Sequence, residues 1–159
     1  MTPRPARRYA PFVLVTLALA ALAAPARAQD SVRIGGIWAP DVSVQGVLDS
    51  QLVFTSAAGG DVAQPLERVT GVRMARYPQL EKAFEFLDQN KPADAVRQFQ
   101  QVKQAAREPW LRQYVQAQLV AAHAAAGQAY EAAQAYVELV RMERVDAYYV
   151  ARPPVEALS

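Results

Sequence analysis

The sequence predicts an α+β chain, a small N-terminal antiparallel β-barrel or bent sheet followed by two antiparallel α-hairpins. Three observations predict it. Between Val32 and Met74 apolar and polar residues alternate at period two, the period of half-buried strands. From Pro78 onward the period lengthens to that of amphipathic helices. Each of Pro78, Pro92 and Pro109 stands at the head of such a run, where a residue without an N–H is at home.

The first 28 residues differ from both halves. They hold Arg4, Arg7 and Arg8 and no acidic residue, then an apolar run from Pro11 to Ala24, and they end on Ala26-Arg27-Ala28. A basic start, an apolar stretch too short to cross a relaxed bilayer and a small-x-small ending read as a secretory signal peptide (1–28), cleaved after Ala28. The alternative is an uncleaved membrane anchor. Arg7-Arg8 raises the twin-arginine route, which the residues after the pair do not support. With no cysteine in the chain, a lipoprotein anchor has no thiol to carry it. The expected location is periplasmic or secreted, with no stable membrane insertion once the signal is removed.

Cleavage reverses the charge. Residues 1–28 carry four of the 17 basic residues and none of the 15 acidic ones, so the remainder has 13 basic against 15 acidic, a net charge of −2. The basic pI belongs to the precursor, and a nucleic-acid partner is not expected. An exported chain without cysteine has no disulfide to hold it, so its apolar core must suffice.

Residues 29–77 form the β module. Val42 and Val44 alternate with Ser43 and Gln45, and Leu52 and Phe54 with Val53 and Thr55. Four or five strands are expected, with tight turns at Asp49-Ser50 and Ala58-Gly59-Gly60-Asp61, where glycine takes positive φ at little cost. Pro65 belongs at a strand edge or end.

Residues 78–144 hold the two hairpins. The first helix stripes Leu80, Ala83, Phe84 and Leu87. The second stripes Ala95, Phe99, Val102 and Ala106, with Asn90 as the expected cap ahead of it. The third runs from Pro109 to about Ala126 and stops at Gly127. The fourth carries Ala132, Ala133, Tyr136, Leu139 and Val140. Residues 145–159, with Ala147-Tyr148-Tyr149-Val150 and Pro153-Pro154, form a tail.

The second and fourth helices repeat a pattern. Ala95 aligns with Ala132, Phe99 with Tyr136 and Val102 with Leu139, at an offset of 37 residues, close to the roughly 34 of a tetratricopeptide repeat. A small residue lets two helices approach, and an aromatic fills the gap to the next hairpin. Residues 78 to about 143 thereby resemble the tetratricopeptide family, and an ordinary four-helix arrangement is the other reading of the same periodicity. The β module, ending in Pro65-Leu66 and Val69, is similar to small Sm- or SH3-like barrels of exported bacterial proteins. Two hairpins and about 45 residues of sheet are each marginal alone. The module is therefore expected to cap the first hairpin, and the tail to cover the other end.

Little in the sequence reads as catalytic or metal-binding, and no cofactor is expected. His123 is the sole histidine, and no serine lies between Ser56 and Ser159 to join it in a triad. Acidic pairs such as Glu81/Glu85 and Glu143/Asp146 have helical spacing, which solvated faces carry routinely. A non-enzymatic interaction or scaffold protein of the bacterial envelope is the expectation, binding a protein or peptide through its hairpins. Candidate partner-binding residues are Trp110, Arg112 and Tyr114 in the densest cluster of large side chains, with Arg97 and Gln101 on a polar groove face. For Trp110 and Tyr114, one turn apart, the favoured reading is core: they fill the seam between hairpins. Homo-oligomers are compatible with all of this. The alternative is a carbohydrate-binding module, stacking sugar rings on Trp38, Phe54 and Tyr77 of the β module.

Overall fold

Two tight turns set the register of the sheet. In the computed structural model, which describes residues 29–151, the strands are Asp30–Ile34 (β1), Ile37–Leu48 (β2), Gln51–Thr55 (β3), Asp61–Pro65 (β4) and Val69–Arg73 (β5). Gly35-Gly36 joins β1 to β2 with Ile34 opposite Ile37, and Asp49-Ser50 joins β2 to β3 with Leu48 opposite Gln51. All four turn residues have positive φ, the geometry whose twist matches flanking antiparallel strands. The Gly35-Gly36 turn was not among the expected ones. The signal peptide expected over residues 1–28 and the Pro153-Pro154 part of the tail lie outside the described residues.

The sheet is wholly antiparallel, in the order β4-β3-β2-β1-β5. Its long strand β2 serves two neighbours in succession, pairing up to Val42 with β1 and from Ser43 with β3. Register shifts fall at Asp30/Val32 and Val44/Gly46, and such bulges bend a strand. The barrel alternative is corrected: the sheet is open, with β4 and β5 as its edges. Closure is not needed to protect them. Pro65 ends β4 without an N–H to offer, and β5 lies against the first helix, so neither edge is a free template.

The helices are Pro78–Asp88 (α1), Pro92–Ala105 (α2), Pro109–Ala125 (α3), Ala129–Val140 (α4) and a single turn, Ala147–Val150 (α5). All three prolines open their helices. Asn90 does not cap α2, whose cap is Lys91 without a side-chain bond. It sits instead past the end of α1 in the left-handed region, φ +56. There Asn90 N–H bonds to Leu87 O and Lys91 N–H to Phe86 O, which satisfies carbonyls the helix end would leave bare. Gly127 repeats this turn after α3, with bonds from Gly127 N–H to Ala124 O and from Gln128 N–H to His123 O. The aligned positions Ala95 and Ala132, Val102 and Leu139 are interior in both helices, as is Phe99, while Tyr136 is half-buried.

Each helix packs on the next, α1 to α4 in series, and one continuous core runs through strands and helices. Val32, Leu52 and Val72 from the sheet and Leu80, Phe99 and Leu111 from the helices are wholly enclosed. The sheet does more than cap the first hairpin. It meets α1 through Trp38, edge-on to Phe84 with ring centroids 5.8 Å apart, and through the pairs Arg33–Asp88 and Arg73–Glu81. It also meets α3, where the Tyr114 hydroxyl accepts a 2.9 Å bond from Val72 N–H. The tail likewise departs from expectation: α5 packs on α3 and α4, buries Tyr149 and leaves the outward side of α4 exposed. Among the described residues no helix is long and apolar enough to cross a membrane.

Candidate binding cleft

An open cleft forms where three elements converge: β2 beyond its bulge, the first turns of α3, and the link from α4 to α5. Its volume is about 620 Å³, and Val47, Pro109, Trp110, Arg112, Met142 and Arg144 are among its lining residues. Pro109 positions the site from the sequence upward. By starting α3 at this point it places Trp110, Arg112 and Gln113 in the first turn and a half of the helix. Gly46 helps, because a Cβ there would stand 3.4 Å from Cδ1 and Nε1 of Trp110, so the indole lies directly over the strand. Trp110 is thus half seam and half cleft wall.

The far wall is held by hydrogen bonds. Gln113, nearly buried, donates from Nε2 to Glu143 O at 3.1 Å and to Arg144 O at 3.0 Å. Asp146 caps α5 by accepting from Tyr148 N–H, and it accepts from the N–H and hydroxyl of Ser50 at 3.0 and 2.8 Å. Its carboxylate is therefore spent on structure, tying the helical link to the β2–β3 turn. The rim is different. Arg112 is exposed and makes none of the ion pairs found among the described residues. Arg144 is almost fully exposed, with only a 3.9 Å approach to Glu143, and has φ +54. The result is an apolar floor beneath two available guanidinium groups.

The five candidate residues separate. Trp110 and Arg112 line the cleft together. Tyr114 takes the core reading rather than the partner-binding one: it is 2% exposed, and its hydroxyl accepts from Val72 N–H. Burial, and next the neighbouring Tyr149, push that phenol well above the usual range. Arg97 and Gln101 are exposed on α2, Arg97 paired with Asp94 one turn away, and neither borders the cleft. Gln113, Met142 and Asp146 were not anticipated as parts of a site. Asp146, expected as half of a solvated acidic pair with Glu143, is instead the cap of α5, a role that an aspartate just ahead of a helix signals.

The aromatics proposed for sugar stacking form no exposed platform. Phe54 and Tyr77 are buried, and Trp38 is clasped between Phe84 and the Arg73 guanidinium, 3.9 Å from its ring centroid. Tyr77 donates from its hydroxyl to Glu108 at 2.9 Å, and Arg76 pairs with the same carboxylate. Burial works against the charge on Glu108, but these partners and backbone N–H bonds outweigh it and lower its pKa. His123 shares a 2.7 Å bond with Gln128. Among the described residues no three His, Cys, Asp or Glu side chains converge as a metal site would require. Comparison with protein-family models, with curated proteins and with solved structures finds no match for the chain.

Proposed function

We propose that this chain is a non-enzymatic interaction or scaffold protein of the bacterial envelope, exported by its N-terminal signal, that binds a protein or peptide segment in the cleft at the sheet–helix junction. The observation that carries the reading is the pairing of Trp110 with Arg112 over an apolar floor. An indole and a guanidinium offer large contact area at small entropic cost, which is why such pairs anchor protein interfaces. Exposed charges at the rim suit a segment that places an apolar side chain in the cleft and a carboxylate at Arg112 or Arg144. The tetratricopeptide-like reading of residues 78 to about 143 belongs to the same proposal. It is supported by the matched interior positions of α2 and α4 and by the two equivalent turns at Asn90 and Gly127.

The test is site-specific photocrosslinking in the native host. A benzophenone side chain replacing Arg112 is expected to capture an envelope protein, and the same probe at exposed Gln100 of α2 is expected to capture none. Arg112→Glu should weaken binding of the captured partner at least tenfold with an unchanged unfolding midpoint. Recovery of polysaccharide alone, or equal capture from both positions, overturns the reading.

A further inference from the structure

β2 has a neighbour on each edge. β3 pairs with it from Ser43 to Leu48, and β1, on the other edge, reaches no further than Asp30 opposite Val42. Beyond Val42 that second edge carries no strand among the described residues. Its next place in the ladder is taken by a side chain. The Asp30 carboxylate accepts from Val44 N–H at 3.1 Å and from Ala75 N–H at 2.9 Å, and the substitution stops there.

The register fixes where the following main-chain groups point. Leu48 and Gln51 flank a two-residue turn, and residues that flank such a turn exchange both their hydrogen bonds. Val47, opposite Leu52, is then a non-bonded position, with its N–H and C=O turned away from β3. The strand read from its other end agrees. Val44 donates on the β1 side, and the bulge between Val44 and Gly46 inserts one residue, so the same direction returns at Val47. α3 lies on this side too, since Tyr114 is bonded to β5, beyond β1. Val47 lines the cleft, which is therefore walled by a main-chain donor and acceptor as well as by Trp110 and Arg112.

Those two groups choose among ligands. A helix spends its N–H and C=O internally, whereas an extended backbone offers both from a single residue. From this geometry we infer that the cleft takes an extended peptide segment, antiparallel to β2 as β1 is. One of its residues is bridged main chain to main chain with Val47, and a nearby carboxylate reaches Arg112 or Arg144. The carboxylate follows from the rim, where Arg112 stands outside the ion pairs found among the described residues. Asp146 cannot neutralise it, because it already accepts from Ser50 and Tyr148. The inference rests on the reading of the cleft as a peptide site and adds the conformation that site selects. Main-chain pairing contributes affinity with little regard to sequence, and the side chains beside it supply specificity.

A library of acetylated hexapeptide amides, each with one glutamate, supplies the probe, and the tightest binder to the purified protein is carried forward. Arg112→Glu is expected to weaken its binding about tenfold with an unchanged unfolding midpoint. N-methylation of the peptide's backbone nitrogens, one at a time, is expected to cost about tenfold at a single position, the one that donates to Val47 C=O, and little on either side of it. By NMR the Val47 amide should exchange with solvent about tenfold more slowly at saturating peptide, while the Leu48 amide, bonded within the hairpin, stays unchanged. A library with no binder, or a binder indifferent to Arg112→Glu, overturns the reading of the cleft itself and the inference with it. A peptide that needs Arg112 yet tolerates N-methylation at every position, or leaves Val47 exchange unchanged, overturns the strand bridge alone.

Discussion

At the scale of single residues, the junction rests on side chains whose roles come from partners far away in sequence. Tyr114 is the clearest. Its hydroxyl satisfies a backbone N–H of β5 inside the core, and an unpaired buried donor costs about 1–3 kcal/mol. Tyr114→Phe should destabilise the protein by about that amount, read from the urea midpoint. Tyr114 and Tyr149 also set an alkaline limit, since both phenols are raised, first by burial. Below the unfolded phenol pKa of about 10, both states are neutral and stability is unaffected. Above it the unfolded chain releases protons that the folded one keeps, so stability falls by about 1.4 kcal/mol per pH unit for each such group. The decline should be shallower in Tyr114→Phe, measured by chemical unfolding between pH 9 and 11. Gly71 is limiting in another way: a Cβ there would come within 2.9 Å of Trp38 Cη2 and 3.3 Å of Arg33 Cβ. With Phe84 behind the indole, Gly71→Ala should cost about 1–3 kcal/mol through overpacking, visible in the thermal midpoint. The Gly71 constraint is not legible in the sequence, because register rather than local pattern brings residues 33, 38 and 71 together.

At the scale of elements the sequence was far more legible, for reasons particular positions show. Val42, Val44, Leu52 and Phe54 are buried and Ser43 and Gln45 exposed, because a strand that covers a core on one face has no other way to distribute them. The three prolines marked helix starts to the residue, since proline geometry is local. Turns were read less evenly. Gly35-Gly36 lies between Ile34 and Ile37, a two-glycine hairpin signal that stands outside the alternation from which the other turns are expected. Asn90 is ambiguous in sequence between the helix after it and the one before it, because asparagine serves both at N-caps and in left-handed turns. Its observed conformation separates the two roles by experiment. Asn90→Ala should cost about 1 kcal/mol from the left-handed penalty, and Asn90→Gly should be neutral or stabilising; an N-cap would lose stability with either. Thermal melts of the two variants decide it.

At the scale of the whole molecule, the halves share one interior, and this governs how the protein unfolds. Of the candidate site, the sequence showed Trp110 and Arg112 but not the cleft, since its other walls come from β2 and the α4–α5 link, joined only when Asp146 reaches Ser50 across 96 residues. The two tryptophans report on that junction independently, Trp38 against α1 and Trp110 against β2. If sheet and helices form one cooperative unit, tryptophan emission and far-ultraviolet dichroism should follow a single coincident transition on heating. Emission shifting well before helicity is lost would mean that the sheet detaches on its own. A fragment of residues 78–159 presses the point further. It would expose the sides of Leu80, Phe84 and Leu111 that the shared core now covers, and Tyr114 would lose its partner on β5. Such a fragment is expected to unfold without a cooperative transition, and a sharp melt near that of the intact chain would show that the helices need no sheet.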